Sequence, residues 1–194
     1  MTKHINVKKL IHLAFILAIM AILLLLSISL TQFVTTDESS QLLIQEYGYI
    51  GVLLISFIAG LNLLIPIPAA SFIPIFTAGG ISLLVAIPLL VAGTMCANLF
   101  SYVLGRIGND FTNTHYPNAQ KKIEKIYLER KEWLPYFVFV FAALSPIPNE
   151  VYLIPLGIIG VKLREFILPL FLGTIFFQSM TALGFENIFR FILN

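Results

Sequence analysis

Charged side chains are scarce in this sequence: Asp, Glu, Lys and Arg make up 11% of its 194 residues, whereas an average globular protein has about 25%. Hydrophobic residues make up 58%. A formal net charge of only +2 gives no strong basic field for binding nucleic acid. The composition therefore excludes a soluble enzyme and a nucleic-acid reader, and it indicates an integral membrane protein.

Cysteine and histidine are scarce as well. The single cysteine, Cys96, cannot form an internal disulfide, which excludes a disulfide scaffold, and its apolar surroundings predict a buried, inert thiol. The three histidines, His4, His12 and His115, do not have metal-ligand spacing. We expect no cofactor and no enzyme, because no catalytic constellation lies in the apolar segments.

What the sequence does contain is long apolar blocks. Residues 10–36, 47–105 and 166–185 have no charged residue, and residues 133–161 have only Glu150. A helix needs about 20 apolar residues to cross a bilayer. Residues 10–36 exceed the roughly 7 to 15 apolar residues of a signal-peptide core, so we expect a retained transmembrane helix there.

The distribution of basic residues predicts the orientation. Lys3, Lys8 and Lys9 precede the first block, and a larger basic cluster lies within residues 106–132. The positive-inside rule predicts that the N-terminus and residues 106–132 are cytoplasmic, and that the acidic segment 35–46 lies outside. The expected location is the plasma membrane.

Two Pro-Ile-Pro triplets interrupt the apolar blocks. Two closely spaced prolines remove helical donors and disfavour helix in the preceding residues, so each triplet predicts a turn inside the membrane. The features that follow the triplets repeat in order at an offset of 80 or 81, which indicates an internal duplication. The matched residues are Pro66, Pro68, Pro74, Gly80, Pro88 and Gly93 with Pro146, Pro148, Pro155, Gly160, Pro169 and Gly173.

The predicted fold is an all-α integral membrane protein in which each repeat consists of a re-entrant hairpin and a transmembrane helix. The first hairpin would enter from outside and the second from the cytoplasm, so the repeats would be inverted, as in many transporters. The predicted divisions are an N-terminal transmembrane helix (1–36) and one membrane domain (37–194), the latter with repeat one (46–105), a cytoplasmic amphipathic connector (106–132) and repeat two (133–192).

The candidate site is the second triplet, because it carries the one acid expected at membrane depth. Burying a carboxylate there costs about 2.5 to 3.5 kcal/mol on insertion scales, so Glu150 predicts a functional role such as proton coupling. The alternative is that Glu150 caps a half-helix. The candidates to line the same cavity are Asn149, Asn62, Asn98, Gln178 and Ser179, although each alone is more often an interhelical hydrogen-bonding residue. The first triplet, in contrast, is followed by Ala69 and Ala70.

The connector has an amphipathic pattern. Pro117 is expected to open a helix, and the apolar stripe that follows consists of Ile123, Ile126, Tyr127, Trp133 and Leu134. Such a helix could lie on anionic headgroups. Interspersed glutamates make a solvated connecting helix equally consistent with the pattern.

Four motifs follow one another along the chain. They are the string from Glu46 to Val52, Pro66-Ile67-Pro68 followed by Ala78-Gly79-Gly80, the string from Tyr102 to Arg106, and Pro146-Ile147-Pro148-Asn149-Glu150 followed by Gly157 and Gly160. In this order they resemble the DedA family, also called VTT or SNARE-associated membrane proteins. The resemblance covers about residues 40 to 190 and implies two opposed re-entrant hairpins. It also implies movement of phospholipid or polyprenyl phosphate between leaflets, in some members with proton or sodium coupling.

The resemblance adds Glu46 and Arg106 to the candidate pathway, which otherwise consists of Glu150, Asn149, Asn62 and the prolines of the two triplets. The chain departs from many bacterial members, which have an acid at the first triplet and arginines around the second. From the resemblance to the family we expect a lipid transporter or scramblase. An ion-coupled small-solute transporter and a membrane scaffold or assembly factor remain alternatives, and the sequence leaves a homo-oligomer open.

Overall fold

The computed structural model describes residues 22, 25–61, 69–145 and 147–193. Over these residues the chain is helical and forms no strand. Nine helices are described, connected in part by short 3-10 turns at Ala69–Phe72, Lys131–Trp133 and Leu163–Glu165. The helices are α1 (Leu25–Thr36), α2 (Glu38–Gly60), α3 (Ile73–Ala78), α4 (Leu83–Ile107), α5 (Asn109–His115), α6 (Pro117–Glu129), α7 (Leu134–Leu144), α8 (Glu150–Ile158) and α9 (Ile167–Leu193).

Among the described residues, three helices are long and apolar enough to cross a membrane: α2, α4 and the part of α9 at Ile167–Ile188. This supports the membrane protein that the composition indicates. Of the predicted first transmembrane helix, residues 10–21 and 23–24 lie outside the described residues. The remainder is helical in α1.

The segment 35–46, which we expected to separate two membrane helices, is mostly helical. Helix α2 begins at Glu38, immediately after a break at Asp37. The Asp37 carboxylate accepts a hydrogen bond from the Ser40 backbone N–H at 2.8 Å, which satisfies one of the free donors at the start of α2. Because this cap starts the helix early, α2 has 23 residues and includes most of the segment that we expected outside the membrane.

Three other apolar segments are too short to cross a bilayer alone. Helix α7 has 11 residues and α8 has 9, and the apolar helical segment Ala69–Ala78 is of similar length. A full crossing needs about 20 residues. At a rise of about 1.5 Å per residue these segments are each about 14 to 17 Å long, roughly half of the hydrocarbon core.

The helices pack in a reciprocal pattern. Helix α2 packs along α4, and α7 packs along α9. The short helix α8 crosses over to pack on α4, while the segment Ala69–Ala78 packs on α9, and α4 also contacts α9. Helix α8 and the segment Ala69–Ala78 therefore each rest on the long helix of the other half.

Glycines allow close backbone approach in two of these helix pairs. A methyl group at Gly93 of α4 would lie 2.5 Å from the Leu53 carbonyl oxygen of α2, and one at Gly173 of α9 would lie 2.8 Å from the Phe139 carbonyl oxygen of α7. Glycine permits backbones to approach closely in membrane helix packing. The crossing of α2 with α4 and that of α7 with α9 thus depend on Gly93 and Gly173, which are matched residues of the sequence repeat.

The turns after α3 and α8 use the same backbone hydrogen bonds. Three bonds close the first turn: Gly79 N–H to Ile75, Gly80 N–H to Thr77 and Ile81 N–H to Phe76. The same three bonds recur 80 residues later, closing the turn at Gly160. Gly80 and Gly160 have φ values of 98° and 74°, in the left-handed region that glycine adopts without steric cost.

Cys96 is exposed on α4, so the expectation of a buried thiol is wrong. The buried side of α4 includes Met95, Ala97 and Asn98. Cys96 points away from this side, and an apolar sequence cannot distinguish a lipid-facing position from a packed one because hydrocarbon is as apolar as a protein core.

Candidate functional site

The second triplet lies in a short non-helical connection between α7 and α8. Ser145 is extended after the end of α7, and its hydroxyl accepts a hydrogen bond from the Ile147 N–H at 3.1 Å. The carbonyl oxygens of Pro148 and Asn149 then accept the first helical bonds of α8. Pro146 lies outside the described residues. We call residues 145 and 147–150 the second tip.

Asn149 connects the second tip to the middle of α4. Its side-chain amide donates to the Asn98 Oδ1 at 3.2 Å, and its own Oδ1 accepts a hydrogen bond from the Tyr152 hydroxyl at 3.2 Å. Asn98 is only 1% exposed. A buried side-chain amide that is hydrogen-bonded in this way fixes the tip relative to α4, because breaking the pair would strand both groups.

Glu150 is the first residue of α8 and is only 4% exposed. An acid in the first turn interacts favourably with the free backbone N–H groups and the positive end of the helix dipole. This position is compatible with both sequence interpretations of Glu150, the helix-capping residue and the coupling residue. It is, among the described residues, the only buried acid.

A second polar contact lies on α4 one turn before Asn98, closer to the start of the helix. Gln178 of α9 donates from Nε2 to the Thr94 hydroxyl at 2.7 Å. Thr94 lies near the middle of α4 and Gln178 near the middle of the apolar part of α9. Thr94 and Asn98 share one face of α4 because they are four residues apart, so these two contacts form one polar cluster.

Two buried atoms of the polar cluster have no hydrogen-bond partner within the part of the chain that the structure describes. They are Asn98 Nδ2 and Gln178 Oε1. Leaving a buried donor or acceptor unsatisfied costs about 1 to 3 kcal/mol. The cluster therefore retains one donor and one acceptor that a water or a polar ligand could satisfy.

We call residues 66–70 the first tip; of these the structure describes Ala69 and Ala70, which have no polar side chain. Asn62, Pro66 and Pro68 lie outside the described residues, so their predicted roles remain predictions. Ala69 and Ala70 are buried in one apolar cluster with Ala182 of α9. Because Ala182 is one turn from Gln178, this apolar arm begins beside the polar cluster.

Glu46 and Arg106 lie apart from Glu150. Glu46 is exposed on α2. Arg106 is exposed near the end of α4, where it donates to the Tyr102 hydroxyl at 3.2 Å, and that hydroxyl donates to the Val161 carbonyl oxygen at 2.6 Å. The structure thus brings Arg106 to the turn at the far end of α8 from Glu150.

Three further polar residues, Thr77, Glu186 and Thr94, were missed by the sequence reasoning. The Thr77 hydroxyl at the end of α3 donates to Glu186 Oε2 of α9 at 3.0 Å. Glu186 directly follows the charge-free block 166–185, and that position is the one signal that could have identified it. Thr94 directly follows the repeated Gly93, which is the nearest signal to it.

On the connector side, Glu165 contacts two polar side chains. Glu165 accepts a hydrogen bond from the Tyr127 hydroxyl at 2.7 Å and lies 3.5 Å from Lys131 Nζ. The Tyr127 bond and the Lys131 charge lower the pKa of Glu165. In return, Glu165 raises the pKa of Lys131. Loss of solvent and the bond to Glu165 raise the pKa of Tyr127. These contacts fasten α6 to the turn before α9.

Within the described ranges, no group of three or more His, Cys, Asp or Glu side chains is arranged to hold a metal ion. The chemistry at the second tip is that of amides, hydroxyls and one carboxylate. Such groups bind and orient polar groups or transfer protons, and they offer no activated nucleophile.

The family profile of the VTT domain matches residues 70–186, which is more than half of the chain. The chain belongs to the DedA family. The VTT domain of this DedA protein includes the segment from Ala70 to the end of α3, the second tip and most of α9. No curated protein and no solved structure matches the chain.

Proposed function

We propose that this DedA-family membrane protein moves a lipid, either a phospholipid or a polyprenyl phosphate, between the two leaflets. The lipid headgroup would pass the polar cluster and the second tip, with Glu150 as the gating or ion-coupling residue. The observation that carries the proposal is the second tip itself, where Asn149 and the buried Glu150 meet the middle of α4.

The proposed depth of the polar cluster follows from the long helices. If α4 and α9 cross the bilayer, the Thr94–Gln178 contact at their midpoints lies near the membrane centre. Polar groups at this depth are costly unless they serve packing or a substrate path. Non-helical backbone is tolerated there where it is buried in protein or lines a cavity, which suits the second tip.

The reciprocal packing supports the proposed inverted repeat of re-entrant hairpins. Helix α8 and the segment Ala69–Ala78 each pack on the long helix of the other half, and both end in the same hydrogen-bonded glycine turn. Segments of about half the bilayer thickness would enter and leave on one side. In transporters with inverted repeats, small movements of one repeat against the other open the site to alternate sides.

The proposed substrate carries a phosphate, and the described tips supply no cation to bind it. The groups available at the second tip are amides and the N-terminus of α8, which carries partial positive charge. Glu150 would repel a phosphate when ionised and would cease to repel it when protonated. Proton binding at Glu150 would therefore admit the headgroup, which is the proposed basis of coupling.

The test is leaflet exchange of a fluorescent phospholipid in proteoliposomes that contain the purified full chain. We expect Glu150→Gln, which resembles the permanently protonated acid, to remove the pH dependence of exchange, because only the ionised carboxylate repels phosphate. Glu124→Gln, an exposed acid on α6, is the matched control and should retain the pH dependence. Unchanged pH dependence in folded Glu150→Gln would refute the coupling role.

The same vesicles separate the alternatives. An ion-coupled solute transporter would carry a polar solute and leave the labelled lipid in its leaflet. A scaffold or assembly factor would do neither. Absence of lipid exchange by the wild-type chain, with headgroup and ion gradient varied, would refute the proposed function as a whole.

A further inference from the structure

A wide groove lies between α6 and the hairpin of α7 and α8, separate from the polar cluster. Its volume is about 880 Å³, in the upper part of the roughly 300 to 1,000 Å³ range of small-molecule sites. The predicted apolar stripe of the connector, including Ile123, Ile126 and Trp133, lines one side of it. The opposite side is formed by Val140 and Val151, among others.

The groove is apolar along nearly all of its length. Apart from the tyrosine hydroxyls, its only polar lining side chains in the described residues are Arg130 and Ser145. Several of the lining residues are well exposed, among them Trp133 at 70% and Val140 at 53%. Apolar surface of this extent needs a hydrocarbon partner.

The dimensions of the groove fit one leaflet of lipid. Helix α7, which forms its long wall, has 11 residues and is therefore about 16 Å long. One leaflet of hydrocarbon is about 15 Å thick, half of a core of about 30 Å. A single acyl chain can thus lie along α7 for the full depth of its leaflet.

The rim of the groove supplies a matching charge. Lys131 pairs with Glu165, and Lys125 lies 3.7 Å from Glu129. Arg130, in contrast, is exposed, and within the described part of the chain its side chain makes no ion pair or hydrogen bond. A planar guanidinium can hold a phosphate through two parallel hydrogen bonds.

Aromatic residues mark the same end of the groove as an interface. Trp133 and Tyr136 are both exposed, and their rings lie 6.1 Å apart. Trp and Tyr are enriched at the level of lipid headgroups, where an apolar ring and a polar group are both accommodated. The headgroup level thus coincides with Arg130, three residues before Trp133.

We propose that this groove is a binding site for one glycerophospholipid, with one acyl chain along α7 and its phosphate at Arg130. The site is distinct from the polar cluster and does not require leaflet exchange. Tyr152 separates the two: its hydroxyl bonds to Asn149, while its ring packs edge-on against Phe137 and Phe141, which line the groove.

The test uses the full chain in phosphatidylcholine nanodiscs that contain a small fraction of phosphatidylglycerol with a photoactivatable diazirine in one acyl chain. After illumination, mass spectrometry maps the labelled residues. We expect labels on groove-lining residues of α7 and α8, such as Val140 and Val151. Val140→Trp fills the groove and should reduce this labelling about tenfold, equivalent to about 1.4 kcal/mol of binding free energy. Phe139→Trp, on α7 but outside the groove, should not reduce it.

The headgroup is tested independently by a surface substitution that does not threaten folding. Arg130→Gln should reduce phosphatidylglycerol labelling about tenfold, since a charge-assisted bond to phosphate is lost. Lys122→Gln, an exposed cation of α6 outside the groove, is the control. A diacylglycerol with the same diazirine chain has no phosphate, so its labelling should be weak in the wild type and insensitive to Arg130→Gln.

Labelling that is unchanged in both Val140→Trp and Arg130→Gln would overturn the proposal. So would disulfide cross-linking that finds residues 1–21 of the same chain, or a second copy of the chain, seated in the groove. Both readouts measure binding in a static bilayer, so their outcome is separate from whether the chain exchanges lipid between leaflets.

Discussion

The turn after α3 and the turn after α8 are closed by the same three backbone hydrogen bonds, yet the arms that lead into them carry different side chains. The first arm begins with Ala69 and Ala70, and the second with Asn149 and Glu150. Both arms end at a glycine with positive φ, and both turns need this backbone closure. The buried carboxylate and the bonded pair of amides belong to the second arm only, which is why we assign function to the second tip.

The packing of the two arms also differs. A methyl group at Gly105 of α4 would overlap the Ile154 carbonyl oxygen of α8, whereas one at Gly184 of α9 would have no atom within 4 Å. A methyl group at Gly157 of α8 would likewise overlap the Tyr102 carbonyl oxygen of α4. The arm with the acid is thus held by backbone contact, and the apolar arm is held less tightly.

The largest predicted effect tests this difference in packing. Gly105→Ala should destabilise the fold by about 1 to 3 kcal/mol, because the added methyl meets backbone that cannot move aside. Gly184→Ala should be neutral or stabilise the helix by up to about 1 kcal/mol. Reversible SDS unfolding in mixed micelles measures both. Equal destabilisation by the two substitutions would mean that both arms are packed alike.

The next largest predicted effect tests whether the turns at Gly80 and Gly160 have the same backbone requirement. Gly80→Ala and Gly160→Ala should each cost about 1 to 2 kcal/mol, because a side chain at positive φ is strained regardless of space. Gly108→Ala is the control, since Gly108 has a φ of −75° and should tolerate alanine. The same unfolding assay applies. A cost at one glycine only would contradict the equivalence of the two turns.

The smallest predicted effect concerns the contact between the connector helix α6 and Glu165 in the turn before α9. The lowered pKa of Glu165 means that the folded state favours its carboxylate. Its contribution is present above its ordinary pKa of about 4.3 and is lost as the pH falls through the lower folded value. Hydrogen exchange of α6, corrected for intrinsic rates, should therefore lose protection in acid.

Glu165→Gln should abolish that acid dependence and leave the Tyr127 hydroxyl an acceptor. Glu124→Gln should keep the wild-type dependence, because among the described residues Glu124 has no ion pair. Loss of protection at the same pH in Glu165→Gln would show that another acid fastens α6.

Part of this arrangement could be predicted from the sequence. Gly80 and Gly160 are strong local signals because glycine tolerates positive φ, and the amphipathic stripe of α6 follows directly from helical periodicity. The repeat at an offset of 80 indicated the matched turns. The position of Glu150 in an apolar block predicted its burial, because a lone acid there must avoid lipid.

The rest of the arrangement could not be predicted, because it depends on which helices pack against each other. An isolated Thr94 or Gln178 in an apolar helix carries no information about its partner, so their contact could not be predicted. Cys96 was misjudged for the same reason. The start of α2 was missed because the Asp37 cap is a local bond that competes with the expectation of a loop between two membrane segments.

Tyr152 contacts both the second tip and the groove. Its hydroxyl holds Asn149 at the second tip, and its ring lies against the wall of the groove. If an acyl chain in the groove shifts this ring, the tip and the groove become thermodynamically linked sites. The change in lipid affinity caused by moving the tip must then equal the change in tip equilibrium caused by binding the lipid. Local bilayer composition would thereby set the resting position of the tip.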